Sequence, residues 1–223
     1  MAAARWIIRV GAILVFASVA MPQRGAGGIV FVPASLAVEF ASRLPAPEGF
    51  FLAAGLLGPA LAGLALGFAS LPGAGPHPAM RWTVVILLLA SSFALATLGS
   101  ILLTALQAHP VAGLPSFVLA LLLFLAPILL GGIVLARVLG GSEDAVTAAL
   151  ARASLGILLA LHGLFLADFG APVLISWLAV PEAGRALAGA WAAPAGGLLV
   201  AAGELIVLFR PAPAATPVPV LGA

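Results

Sequence analysis

Between Glu48 and Arg137 the chain carries one formal charge, Arg81, and no Asp, Glu or Lys. A domain folded in water needs charged groups over its whole surface, typically about a quarter of its residues. Here only 7% of residues are charged and 64% are hydrophobic, with mean hydropathy +1.28. Segments this apolar have hydrocarbon as their solvent. In hydrocarbon every backbone N–H and C=O must be satisfied within the structure, which leaves helices or a closed barrel. Long apolar runs without a two-residue alternation select helices. The fold class expected is all-α, a multi-pass transmembrane bundle of about six spans, the first one marginal, at ~20 residues per span.

Pro, Gly and His mark the breaks. A first helix is expected at about Trp6 to Met21 and a second at about Phe50 to Leu71. The run Leu71-Pro72-Gly73-Ala74-Gly75-Pro76-His77-Pro78 cannot continue a helix. A third span is expected from Trp82 to Leu106, leaving at His109-Pro110. A fourth covers Leu114 to Leu139 and closes on Gly140-Gly141. Ser142-Glu143-Asp144 is a polar helix start, and a fifth span begins near Ala153, interrupted at Pro172. A sixth covers Ala186 to Phe209. Residues 1–210 form one transmembrane domain, and the Pro/Ala-rich tail 211–223 is expected to be disordered.

Two segments admit two readings. Gly28 to Leu44 is apolar but holds Pro33, Glu39 and Arg43. It reads as an interfacial amphipathic helix, with a re-entrant or short spanning segment as the rival. At the N-terminus, Arg5 and Arg9 precede a short apolar run ending in Ser18-Val19-Ala20, a pattern shared with cleavable signal peptides. A retained helix is the reading taken, with Arg9 snorkelling to the headgroups.

The nine basic residues are all Arg. With the N-terminus inside, Arg5, Arg9, Arg81, Arg137, Arg152 and Arg210 fall on the cytoplasmic side and Arg24, Arg43 and Arg185 on the other. That asymmetry places both termini in the cytoplasm. Abundant Ala, Gly and Pro beside exclusive Arg is the composition of a GC-rich genome. The location expected is a bacterial cytoplasmic (inner) membrane.

Lipid is as apolar as leucine, so transmembrane helices associate through close packing at small residues. Such stripes recur at helical spacing: Gly55, Pro59, Gly63 and Gly67; Ser92, Ala96, Ser100 and Thr104; Gly156, Ala160, Gly163, Ala167 and Gly170; Gly189, Ala193, Gly197 and Ala201. They are read as helix-packing faces.

Ionisable residues within a span are costly and are candidates for function. Three qualify, His162, Asp168 and Glu204. Equal depths on adjacent antiparallel helices would let His162 and Glu204 pair, as a proton-responsive step or as a structural hydrogen bond. Asp168 precedes Pro172 by four residues, so its carbonyl would lose a helical partner and a carboxylate would stand at a kink. The plainer alternative ends span five at Gly170 with Asp168 at the interface.

Absences narrow the class. With no Cys, thiolate catalysis, disulfides and Cys-ligated metals are excluded. The net charge of +2 and the lack of a basic run give no nucleic-acid footprint. No phosphate loop, zinc-protease motif or nucleophile elbow occurs, so an enzyme is disfavoured and no catalytic residue, metal or cofactor is assigned. The lead expectation is a non-catalytic helical subunit packing against other membrane components or binding lipid, quinone or pigment. The alternative is a small permease or proton-coupled transporter, and a lipid-acting enzyme comes third. The partners implied are the lipid bilayer and other membrane subunits.

Overall fold

The computed structural model describes residues 2–22, 24–26, 29–43, 45, 48–71, 77–108, 114–142, 144–165, 185–186 and 188–209. The expected tail 211–223, the Pro172 interruption, Asp168 and His109 lie outside them.

Among the described residues seven helices dominate: α1 (Ala2–Ser18), α2 (Pro33–Arg43), α3 (Glu48–Ala69), α4 (Pro78–Ala108), α5 (Leu114–Leu139), α6 (Ala145–Leu164) and α7 (Ala188–Leu208). Four of them hold stretches long and apolar enough to cross a membrane: Pro78–Thr104, Phe117–Leu139, Ala145–Leu164 and Ala188–Leu208. A shorter apolar stretch runs over Gly55–Ala69 in α3. The outside of the bundle is as greasy as its inside. Ile86, Phe93, Ile128, Leu129, Ile133 and Ile206 are all exposed, which water would not tolerate on this scale.

Successive long helices run antiparallel. The core is filled by Val15, Leu66, Leu88, Leu123, Val134, Leu155, Leu158 and Val200. α7 is wedged between α1 and α6, while α3 joins α1 to α4, and α5 packs on α4 and α6. α2 packs on α3. It has 11 residues, which at 1.5 Å each is about 16 Å and half of a span. As a helix it is too short to cross a membrane alone. Pro33 opens it, at the position where a missing N–H costs nothing.

Helices alone were expected, yet residues before α2 form a small antiparallel ribbon. β1 (Arg24–Ala26) is central, pairing with β2 (Ile29–Phe31) and with β3 (Arg185–Ala186), in the order β2-β1-β3. Backbone hydrogen bonds beside the ribbon join the helix ends: Gly189 N–H of α7 donates to the Pro22 carbonyl at 3.1 Å and Ala34 N–H of α2 to that of Val19 at 3.0 Å. The starts of α2 and α7 thus satisfy carbonyls just past the end of α1 that would otherwise be left open.

The α5–α6 turn fixes the opposite end. Ser142 N–H donates to the Arg137 carbonyl and Gly141 N–H to that of Val138, the pair of bonds of a Schellman cap, with Gly141 at φ 76°. Asp144 then caps α6, its Oδ1 accepting from Thr147 N–H at 2.8 Å. Arg137 reaches across to Thr147 Oγ1 at 2.9 Å and to Asp144 Oδ2 at 3.2 Å. The cap starts α6 at Ala145, as the polar run Ser142-Glu143-Asp144 indicates, while the apolar stretch long enough to span also begins at Ala145 rather than near Ala153.

Candidate functional site

A start at Ala145 decides the chemistry of the bundle, because it carries Arg152 two turns into α6. Seven residues at 1.5 Å place it about 10 Å along the helix. There its guanidinium meets Glu204 on α7 in a two-pronged pair, Nε to Oε1 at 2.6 Å and Nη2 to Oε2 at 3.0 Å. The Arg152 side chain is 16% exposed and that of Glu204 3%. The planar fork of Arg matches both carboxylate oxygens, which is the strong form of such a pair.

The juxtaposition follows from helix register. α6 and α7 meet antiparallel at glycines. A Cβ on Gly156 would stand 2.8 Å from the Gly197 carbonyl oxygen, and one on Gly197 2.5 Å from the Gly156 oxygen and 2.6 Å from Ala160 N. Farther along, Gly163 lies against Pro194. In this register Arg152 is level with Glu204, whereas His162 is level with the region of Pro194.

The expected His162–Glu204 pair is therefore not formed. His162 lies ten residues, about 15 Å, along α6 from the residue that Glu204 grips, and both Glu204 oxygens are taken by Arg152. His162 Nε2 is buried with no hydrogen-bond partner, as is Ser92 Oγ. Arg152 was assigned to the membrane boundary by its charge alone. Glu204 is 52 positions away, and no local pattern links the two.

The small-residue positions fall into different settings. Gly63 is pressed on α1, where a Cβ would be 2.9 Å from both Ala12 O and Phe16 N. Gly67 is looser, 3.7 Å from Ala12 Cβ, and Gly55 faces open space. On α4, Ser92 is buried against Gly131 of α5, Ala96 is half-buried and Ser100 is exposed. The tight α4–α5 approach is at Gly99, where a Cβ would be 2.5 Å from Phe124 N, a position outside the Ser92–Thr104 stripe. Gly156, Ala160, Gly163 and Gly197 all lie in the α6–α7 contact. The other face of α7 uses Gly196, whose Cβ would be 2.6 Å from Gly11 O of α1, and Gly203, 2.5 Å from Ile8 Cγ1.

Polar side chains within the helices are mostly consumed locally. The hydroxyls of Thr83, Thr97 and Thr104 donate to the carbonyls four residues back, the usual way a helix hides a hydroxyl in apolar surroundings. A cavity of about 30 Å³ lies beside the ion pair, lined in part by Arg81, Trp82, Thr147 and Arg152, and holds little more than one water. Among the described residues, no group of three or more His, Asp or Glu is placed to hold a metal ion.

No protein-family model, curated protein or solved structure matches this chain. The apolar helices establish a membrane-compatible helical protein.

Proposed function

We propose that the chain is a non-catalytic, rigid membrane subunit, embedded by six spans with both termini in the cytoplasm of a bacterium and packing against other membrane components. The observation that carries this reading is the sandwiching of α7. It touches α1 and α6 backbone to backbone through Gly11–Gly196 and Gly156–Gly197. A carrier must rock one group of helices against another; contacts this close on both faces of one helix oppose sliding. The buried Arg152–Glu204 pair is saturated by its own partners, and α3, α5 and α7 continue through Pro59, Pro127 and Pro194 rather than breaking there.

Six spans and the orientation draw support from where the arginines gather. Arg9 reaches Ser70 at the end of α3. Arg81 and Arg152 line one cavity with Ala69 and Val138, and Arg137 bonds Asp144 in the adjoining turn. These four share one end of the bundle, and the ribbon with Arg24 and Arg185 occupies the other. A positive end is a cytoplasmic end. α1 and α3 run beside α7 and α4 through the same slab.

Purification of the whole protein in mild detergent tests the reading. Co-purification of membrane proteins at fixed stoichiometry is expected. A lone monomer or homodimer that moves solute across liposomes would overturn it in favour of a permease.

A further inference from the structure

We propose that the groove between α1 and α3 holds one acyl chain of an anionic phospholipid, with the lipid phosphate against Arg9. The proposal rests on the preceding reading only in taking the chain as membrane-embedded with the Arg9 end at the cytoplasmic leaflet.

The groove has a volume of about 340 Å³. It exists because α1 and α3 touch at Gly63 and part toward Gly67, where an added Cβ would meet only Ala12 Cβ, at 3.7 Å. Its walls are apolar, with Ile13, Phe16, Leu64 and Phe68 along the length, and its charged end is Arg9 beside Trp6. From Trp6 to Phe16 α1 rises about 15 Å. That is half of a ~30 Å hydrocarbon core and so the depth of one leaflet. A slot one leaflet deep, greasy along its length and cationic at its mouth, has the form of a single lipid chain with its headgroup.

The charge at the mouth is open to a phosphate. Arg9 is half-buried, and its donors reach only the neutral Ser70 Oγ and carbonyl oxygen, at 3.4 and 3.3 Å. Among the described residues no carboxylate pairs with it. Its guanidinium lies 5.5 Å from the Trp6 ring centre, and tryptophan favours headgroup depth. Arg5, one turn earlier on the same face, is exposed. The guanidinium fork suits two phosphate oxygens, and the cytoplasmic leaflet is where anionic lipid is abundant. A second copy of the chain fits less well. A two-fold axis along the membrane normal would set Arg9 against the partner copy's Arg9 at equal depth.

The test is native mass spectrometry of the full chain, released from nanodiscs containing equal amounts of a phosphatidylglycerol and a phosphatidylcholine with identical chains. The expected result is one retained lipid, with phosphatidylglycerol favoured roughly five-fold, the effect of one cation near an anionic headgroup. Arg9→Gln removes the preference and Arg9→Lys keeps most of it. Gly67→Leu, which fills the groove and leaves Arg9 in place, loses both lipids. Equal retention of the two lipids by the native chain, or an unchanged preference in Arg9→Gln, overturns the proposal. Failure of the chain to enter nanodiscs at all would overturn the membrane reading with it, whereas entry without preference sinks the lipid site alone.

Discussion

Replacing Glu204 with Gln should be among the most damaging single changes in the bundle. The substitution keeps the shape and one acceptor but leaves the Arg152 guanidinium, 16% exposed, without a counter-charge. Removing one partner of a buried ion pair costs roughly 3–5 kcal/mol, because the other charge stays desolvated. Arg152→Gln should cost less. The carboxylate left behind can take up a proton, whereas a guanidinium cannot lose one. Replacing both residues with Met removes the desolvation as well as the attraction, and such exchanges are often neutral or even stabilising. The double-mutant cycle of Glu204→Met, Arg152→Met and the double Met variant should therefore give a coupling energy of about 3 kcal/mol or more, at or above the top of the range common among contacting residues. Stability would be read from reversible unfolding of detergent-solubilised protein. Additive single effects, or a Glu204→Gln variant as stable as the native chain, would show that the pair is not closed in the folded protein.

Four further outcomes are expected. Gly197→Ala places a methyl against the Gly156 carbonyl and should destabilise by roughly 1–3 kcal/mol, whereas Gly132→Ala, with nothing within 4 Å, should leave the midpoint unchanged. His162→Leu removes a buried Nε2 that has no partner. It should be neutral or slightly stabilising, and a marked drop in thermal midpoint would mean that His162 is satisfied in the membrane by something it binds. The Thr147 hydrogen bonds, with Arg137 adding to them, hold the Asp144 carboxyl below its usual value of 3.8. A group depressed on folding contributes stability above its unfolded value and loses it as pH falls through the folded one. Amide protection at the start of α6, taken relative to the unstructured chain at the same pH, should thus be flat above pH 5 and fall only in acid below about 3.8, and Asp144→Asn should abolish that dependence while keeping the cap. Gly99→Val should separate α4 from α5, read as increased proteolysis of the α4–α5 connection, and normal resistance would refute the close approach.

Much of the helical layout is legible in the residues because hydrocarbon enforces long unbroken runs. Leu114–Leu139 is bounded as its glycines and prolines indicate. The start of α6 shows as the polar run Ser142-Glu143-Asp144, but Arg152 reads there as the edge of the apolar run. Arg152 is tolerated inside only because Glu204 neutralises it, and that fact lives in the register of two helices. The three-stranded ribbon is hidden for a related reason. Strands of two or three residues have no measurable period, and β1 finds β3 far along the chain. Small-residue stripes are visible, but which glycine touches which helix depends on rotation about each axis. Gly55 and Gly63 share a stripe yet differ completely in surroundings.

The wedge of α7 between α1 and α6 has a consequence for how the protein is made. α1 meets its Gly196 and Gly203 neighbours only after α2 to α6, which separate the two helices in the chain, have been made. Until then Gly11 lacks its close contact, and the face of α1 that α7 covers stays open.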